Sequence, residues 1–368
     1  MTSIIYVGMD VHTTNFTLCC YDAATDSCFA CIQTEPDYRK ILSYLKRVEK
    51  NIGHKCCFLC GYEAGYLGYT LYHQLMDHDV DCVILAPTTI PTKKNEPKTD
   101  RRDAKKISRC LAYHNYSPVY VPTSQDDAVK EYIRMRDDEK STLKRIKQQI
   151  LALCTRHGQR FDGKSNWTLK HLAWLRKLDF ENPILNETFR EYLALYDQAC
   201  NKVDLFDKRI EEFAQQEQYE LRVKKLSCLL GISTHVALST LVEVGDFKRF
   251  KTAPQFASYL GLVPGERSSA DSQKRLGITK AGNSHIRRLL IEAAQCYNRG
   301  GIGFKSKKLK AQQEGNPPEI IAYADRATER LKRKFQRMKY TKSWNTIVTA
   351  IARELACFIW GMMTDNIA

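Results

Sequence analysis

The order of apolar runs in the first third of the chain restricts its fold more than any other feature. Residues 4–10, 16–21 and 28–34 are three short strand-like runs in direct succession, the first two parted by His-Thr-Thr-Asn. A helical period follows over 38–51, where Ile41, Tyr44, Leu45 and Val48 recur on one face. Next come a buried strand at 55–60, a helix around 67–76 and a strand at 80–85. A strand meander that gives way to alternating helix and strand requires an α/β layer structure, with helices packed on a mixed sheet.

This is the ribonuclease-H-like order, and four carboxylates sit at its functional corners. Asp10 ends the first apolar run, Glu63 follows the run at 56–60, and Asp100 and Asp103 open a helix reaching to about 112, with Thr99 as its N-cap. Three-residue spacing puts Asp100 and Asp103 on one helix face. Strand-end acids that converge with a helix acid form the ligand set of a divalent-metal site. Four acids without a histidine cluster suit Mg²⁺ better than zinc, with Mn²⁺ able to substitute. His12, close to Asp10, reads as a structural residue or substrate contact rather than a ligand. Any one of these acids alone reads as a cap, a turn or a surface charge, so the inference rests on the ensemble.

Charge points to the partner. Lys and Arg number 57 against 42 acids, a net +15, which favours a polyanion. Residues 298–343 hold 13 Lys or Arg against 4 acids, so this tract carries most of the excess. No uninterrupted apolar run reaches the ~18 residues of a membrane span; the best candidate, 347–363, contains Arg353 and Glu354. The N-terminus lacks a signal-peptide pattern, and the expectation is a cytoplasmic protein with no membrane partner. Fourteen cysteines are then expected as thiols. Cys28 with Cys31, and Cys57 with Cys60, have a zinc-compatible spacing. Both pairs lie in strand-like runs, where residues three apart face opposite sides, so core thiols are the better reading.

Residues 86–99 form a Pro- and Lys-bearing loop that delivers Asp100. Beyond it, residues 124–220 are helical. Phe189, Tyr192, Tyr196, Ala199, Val203, Phe206, Ile210 and Phe213 make an a/d seam, and Leu143, Ile146, Ile150 and Leu153 a weaker one in the preceding helix. An antiparallel hairpin follows, and self-association through it is favoured over pairing of the two seams within one chain. Residues 225–368 form a mostly helical unit. The run Leu226-Ser-Cys-Leu-Leu-Gly-Ile-Ser fits either a phosphate-gripping helix–hairpin–helix turn or an ordinary helical core. The run from Gly261 to Asn283 presents Ser268 and Ser269 among Arg267 and Lys280, ahead of a helix with Arg287 and Arg288. Hydroxyls flanked by cations before a helix N-terminus suit phosphate chemistry, although by itself a Ser-Ser in a polar loop is usually a flexible turn. Lys305, Lys307, Lys308, Arg333 and Arg337 in the basic tract are further candidate nucleic-acid contacts.

Taken in order, Gly-x-Asp, Glu-Ala-x-Gly, Lys-Thr-Asp-x-x-Asp-Ala, a helical insert, then Gly-Leu-x-Pro, Ser-Ser and Gly-Ile-Thr-Lys-x-Gly-Asn resemble the DEDD transposases of the insertion-sequence one-ten family, closest to its eleven-eleven subgroup. The resemblance implies a RuvC-like catalytic domain at 1–123 whose tetrad Asp10, Glu63, Asp100 and Asp103 binds Mg²⁺. It also implies a helical coiled-coil insert at 124–224 and a C-terminal transposase domain at 225–368 with a nucleophilic serine. That serine is Ser269, with Ser268 as the alternate, since Ala270 stands where the family generally has Gly. Further implied are donor and target DNA, a structured non-coding bridge RNA that pairs with both, and a homo-oligomer that is a tetramer on DNA. The alternatives are a Mg²⁺-dependent junction-resolving nuclease using water, an actin-like ATPase, for which a later Gly-rich phosphate loop is missing, and a catalytically inactive nucleic-acid-binding protein.

Overall fold

The computed structural model describes residues 3–87, 99–269 and 272–367, with backbone alone at 3, 267–269 and 272–275. The chain divides into two units, Met1–Val121 and Pro122–Ala368. In the first unit, β1 (Ser3–Val11), β2 (Phe16–Asp22), β3 (Ser27–Thr34), β4 (Cys56–Glu63) and β5 (Asp81–Leu85) form one sheet in the order β3-β2-β1-β4-β5. The first three strands are a mutually antiparallel meander, while β1–β4 and β4–β5 are parallel. This mixed sheet is consistent with the ribonuclease-H-like order expected above.

Period-two burial assigns the two sheet faces. Ile5, Val7 and Met9 of β1 pack with Ile41, Tyr44, Leu45 and Val48 of α1 (Tyr38–Ile52) and with Leu71 and Leu75 of α2 (Thr70–Met76). The even positions of β1 face α3 (Asp100–Ala112), where Tyr6 joins Ile107, Cys110 and Leu111. Gly8 lies directly beneath this helix. A Cβ there would stand 1.9 Å from the Ala104 carbonyl oxygen and 2.4 Å from the Ser108 nitrogen, both backbone. Its partner across the parallel pair is Gly61, where a Cβ would meet the Leu111 side chain at 2.9 Å. Two adjacent glycines thus make the flat surface on which α3 sits. Of the loop at 86–99 expected to deliver Asp100, residues 88–98 lie outside the described residues.

The thiol expectation needs one correction. The β2–β3 register slips between Leu18 and Cys20, so Cys19 faces two residues of β3, and it is disulfide-bonded to Cys31. The other twelve cysteines are free. Cys57 is exposed while Cys60 is buried, as opposite faces of a strand require, and neither joins a metal-ligating cluster among the described residues.

The second unit begins with a long helical hairpin. Early residues of α4 (Ser124–Arg156), Val129 and Ile133, share a core with Ile210 and Ala214, late residues of α6 (Pro183–Ala214). Late α4 residues, Ile146, Ile150 and Leu153, pack with Phe189, Tyr196 and Ala199 from early and central α6. The helices therefore run antiparallel, and the two predicted seams meet each other within one chain. Between the two apolar zones the interface turns ionic, where Arg136 donates to Asp207 at 2.7 and 3.0 Å. The short α5 (Leu169–Lys177) joins the distal cluster.

The remaining elements are α7 (Glu217–Ser227), α8 (Thr234–Val244), α9 (Ala253–Tyr259), the hairpin β6 (Pro264–Ser269) and β7 (Ser272–Ile278), α10 (Ser284–Ala294), α11 (Lys307–Gln313), α12 (Pro318–Lys339) and α13 (Trp344–Met363). Their core is continuous with the proximal end of the α4–α6 hairpin. The α7–α8 turn is packed against α10: at Gly231, with φ 87°, a Cβ would stand 2.6 Å from the Ala293 carbonyl oxygen. This is the helical-core arrangement of the two readings of that turn. By length and composition alone helix α13 could cross a membrane, as buried core helices also could, although Arg353 and Glu354 interrupt its apolar run. Half of its apolar window is buried in this unit, and Glu354 accepts from Arg330 and, at 2.5 Å, from Lys334 of α12.

Candidate active site

Strand alternation and helix seating together build an acidic cluster at the C-terminal end of β1. Asp10 lies on the α3 face, two residues beyond Gly8. The first turn of α3 carries Asp100 and Asp103, one turn before the Ala104–Ser108 stretch that contacts Gly8. Ligand atoms of Asp10, His12 and Asp100 all lie within 4.8 Å of one another. The last registered β1–β4 pair is Met9 with Tyr62, so Glu63 is the next step beside Asp10 and on the same face. Neighbouring strands run about 4.8 Å apart, which places the Glu63 backbone at the rim of the cluster. Thr99 occupies the N-cap position without a side-chain cap bond; its carbonyl oxygen accepts from the Asp103 nitrogen at 3.0 Å.

The electrostatics are those of an acid cluster short of cations. Half-burial holds the Asp10 carboxyl above its ordinary value near 3.8. His12 opposes that shift from 3.4 Å, while the charges of Asp100 and Asp103 reinforce it. Carboxylate oxygens with one imidazole nitrogen fit a divalent cation. His12 lies within ligand distance of this set, a position open to a ligand and to a substrate contact alike.

The serine segment is a strand hairpin rather than the loop its polarity suggested. Its base is held by backbone interlocks. Gly261 and Gly282 have φ of 64° and 82°, and a Cβ on either would stand 2.1 Å from the Ala281 or 1.9 Å from the Tyr259 carbonyl oxygen. Asn283 caps α10 by accepting from Ile286 nitrogen at 3.0 Å and donates to Glu243 Oε2 at 2.8 Å. Glu243, with its side chain 4% exposed, also accepts from Arg134 at 2.8 and 3.1 Å. Burial works against ionisation of Glu243, but Arg134 and Asn283 outweigh it and lower its pKa. In the register Ser268 pairs with Gln273 and Ser269 with Ser272, at the tip of the hairpin. The side chains of Ser268, Ser269 and Arg267 lie outside the described residues.

The predicted cationic contacts divide into committed and open groups. Arg287 donates to the Leu260 carbonyl at 2.9 Å, Arg288 is paired with Asp137 and Glu292, and Lys305 is paired with Asp325. Lys280, Lys307 and Lys308 are exposed. Arg333, paired with Glu329 at 3.4 Å, and Arg337 line an open groove on α12 together with Arg326 and Lys334, the last paired with Glu354. Glu243 and Asp137 were absent from the sequence reading, because their partners lie far away in the chain.

Comparison with known proteins adds the family context. Residues 7–158 match the profile of the IS110-type DEDD transposases, and residues 223–303 match that of the transposase IS116/IS110/IS902 family. The protein y4qE of Sinorhizobium fredii, which carries a transposase name, is 33% identical over 323 residues, covering 87% of this chain and 78% of its own. The transposase for insertion sequence element IS1533 of Leptospira borgpetersenii is 32% identical over 342 residues, 91% of this chain and 96% of its own. The transposase for insertion sequence element IS1111A of Coxiella burnetii is 24% identical over 261 residues, 69% of this chain and 71% of its own.

Proposed function

Because the chain belongs to the IS110 family of DEDD transposases, a family of DNA-recombining enzymes, we propose that it cuts and rejoins DNA strands through a phosphoserine intermediate, with Asp10, Glu63, Asp100 and Asp103 holding Mg²⁺. The observation that carries this reading is the convergence of Asp10, His12 and Asp100 at one strand end. A bound divalent ion there would neutralise charge developing on the phosphodiester oxygens. The chain's own residues do the rest. The acids orient the ion, and α3, seated on Gly8 and Gly61, fixes their spacing.

Ser269 is the proposed nucleophile, with Ser268 as the alternate. Its Oγ forms a bond to phosphorus, and the bond from that phosphorus to the leaving deoxyribose oxygen breaks. The serine proton passes to solvent and the leaving oxygen takes one up. Attack by a hydroxyl of the exchanged strand then reverses the sequence, so rejoining needs no nucleotide cofactor. The family resemblance further supports donor and target DNA paired by a structured bridge RNA, and a homo-oligomer that is a tetramer on DNA. In such a complex, base pairing reads sequence and the protein reads backbone.

The test is a denaturing trap of the enzyme on element-end DNA with Mg²⁺, followed by mass spectrometry of the digested protein. A nucleotide on the Ser269 peptide, lost in Ser269→Ala but kept in Ser272→Ala, supports the reading. Loss in Ser268→Ala alone moves the nucleophile to Ser268. Metal-dependent cleavage with no adduct in the wild type identifies a water-using nuclease instead.

A further inference from the structure

Outside the acidic cluster and the serine hairpin, the second unit contains an open groove between α4 and α10 of about 920 Å³. One wall is α10, which starts directly after the hairpin and presents Ser284, His285 and Arg288. The other is α4, with Lys140, Lys144 and Lys147 facing the groove. Their spacing of four and three residues keeps the three lysines on one helix face, over about 10 Å of axis.

The acids at this groove are unequally spoken for. Asp137 is enclosed by Arg136 at 3.0 Å, Arg288 at 2.5 Å and His235 at 3.3 Å, and Glu292 pairs with Arg288 at 3.3 Å. Arg134 is matched by Glu243. Lys140 and Lys144, both exposed, have no ion-pair partner among the described residues, although Asp138 also lines the groove.

Lys147 is held differently. Its ammonium lies 5.2 Å from the ring centre of Trp167 and 5.6 Å from that of Tyr196, two rings stacked 5.1 Å apart. Trp167 adopts φ 64°, a left-handed conformation that strains a bulky residue, and its N–H donates to His171 Nδ1 at 3.1 Å. A strained tryptophan that seats a lysine at the end of a lysine row is a positioned cation rather than a solvated one.

We infer that this row is a track for the phosphodiester backbone of a nucleic acid, gripped by Lys140 and Lys144 and ended by Lys147. The ligand class rests on the transposase reading, and on the groove's opening at Ser284, with five residues between it and the base of the serine hairpin, so that a strand held along the hairpin can continue along α4. Lys140 and Lys144 stand about 6 Å apart along the helix axis, so each can meet a separate phosphate of one strand. The lysines read charge alone, without base contacts.

The test is binding of the full chain in EDTA, by fluorescence anisotropy, to labelled duplex DNA and separately to single-stranded RNA across salt concentration. The double variant Lys140→Gln/Lys144→Gln should flatten the plot of log affinity against log salt by about 1.8 for duplex or about 1.4 for a single strand. Between about 50 and 200 mM salt the variant would then lose roughly twelvefold less duplex affinity than the wild type, or roughly sevenfold less for a single strand. Flattening with DNA alone, or RNA alone, identifies the strand carried. The matched pair Lys46→Gln/Lys50→Gln, exposed on α1, should leave the slope unchanged. An unchanged slope in the α4 variant, or equal flattening in the α1 variant, overturns the track. Failure of the wild type to bind any nucleic acid would instead strike the reading on which the track rests.

Discussion

Substituting Gly8 by Ala perturbs the active site through a single methyl group that never touches substrate. The added Cβ would stand 1.9 Å from the Ala104 carbonyl oxygen, against 3.4 Å for an ordinary contact. Helix α3 must therefore recede by about 1.5 Å, the difference of those distances, because both clashing atoms are backbone and no rotamer relieves them. Overpacking of this kind typically costs about 1–3 kcal/mol of stability. The chemical consequence is larger. Asp100 and Asp103 ride on the first turn of α3 while Asp10 stays on the sheet, so the acid spacing opens by a comparable amount. A misplacement of about 1 Å can slow catalysis about 10²-fold. Single-turnover strand cleavage at saturating Mg²⁺, with a thermal melt and circular dichroism on the same samples, measures both effects. The comparison is Gly301→Ala, where an added Cβ meets nothing within 4 Å. A folded Gly8→Ala protein that cleaves at the wild-type rate would refute the claim that glycine seating sets the acid spacing.

Three further outcomes follow from other parts of the structure. Asp10 has a raised pKa, so its ionised form opposes folding, increasingly as pH rises through that value; without divalent ions, Asp10→Asn should melt higher than wild type at pH 7, with the gap closing toward pH 3.8, whereas added Mg²⁺ should stabilise only the wild type. For Asp137, burial opposes ionisation, but His235, Arg136 and Arg288 packed around it hold the carboxyl far below its ordinary value near 3.8; Asp137→Asn should lower unfolding free energy by about 3–5 kcal/mol in neutral denaturant melts, and that stabilisation should fade only as pH falls below the ordinary value. Glu243→Gln should remove the charge that holds Arg134 and Asn283, a loss of about 1.5–3 kcal/mol for a charged hydrogen bond, and should slow adduct formation on the serine hairpin without changing Mg²⁺-induced stabilisation of the N-terminal unit.

The N-terminal sheet was legible because strand alternation and apolar run length are local signals. They located every strand of the mixed sheet, and the helix that carries Asp100 and Asp103 began where its capping residue predicted. What stayed hidden needed a partner remote in sequence. Gly8 looks like any strand glycine until Ala104 closes over it. Arg288 reads as a free cation, yet its carboxylate is Asp137, 151 positions away. The two helical seams lie far apart in the chain, and their spacing does not reveal that Ile150 packs against the α6 aromatics of its own chain. The serine segment shows no apolar period, and its hairpin becomes visible only in the β6–β7 backbone register and the glycine-locked base. The Cys19–Cys31 pairing depends on a slipped register that no spacing rule reveals.

The central claim is that the acids at the end of β1 hold a catalytic divalent ion. Crystals of the enzyme soaked in Mn²⁺, examined by anomalous scattering at the manganese edge, test it most directly. A peak about 2.1 Å from carboxylate oxygens of both Asp10 and Asp100 is expected, absent in crystals of Asp10→Asn. Cleavage-competent crystals with no peak at these residues, or with one elsewhere that Asp10→Asn leaves intact, would contradict it.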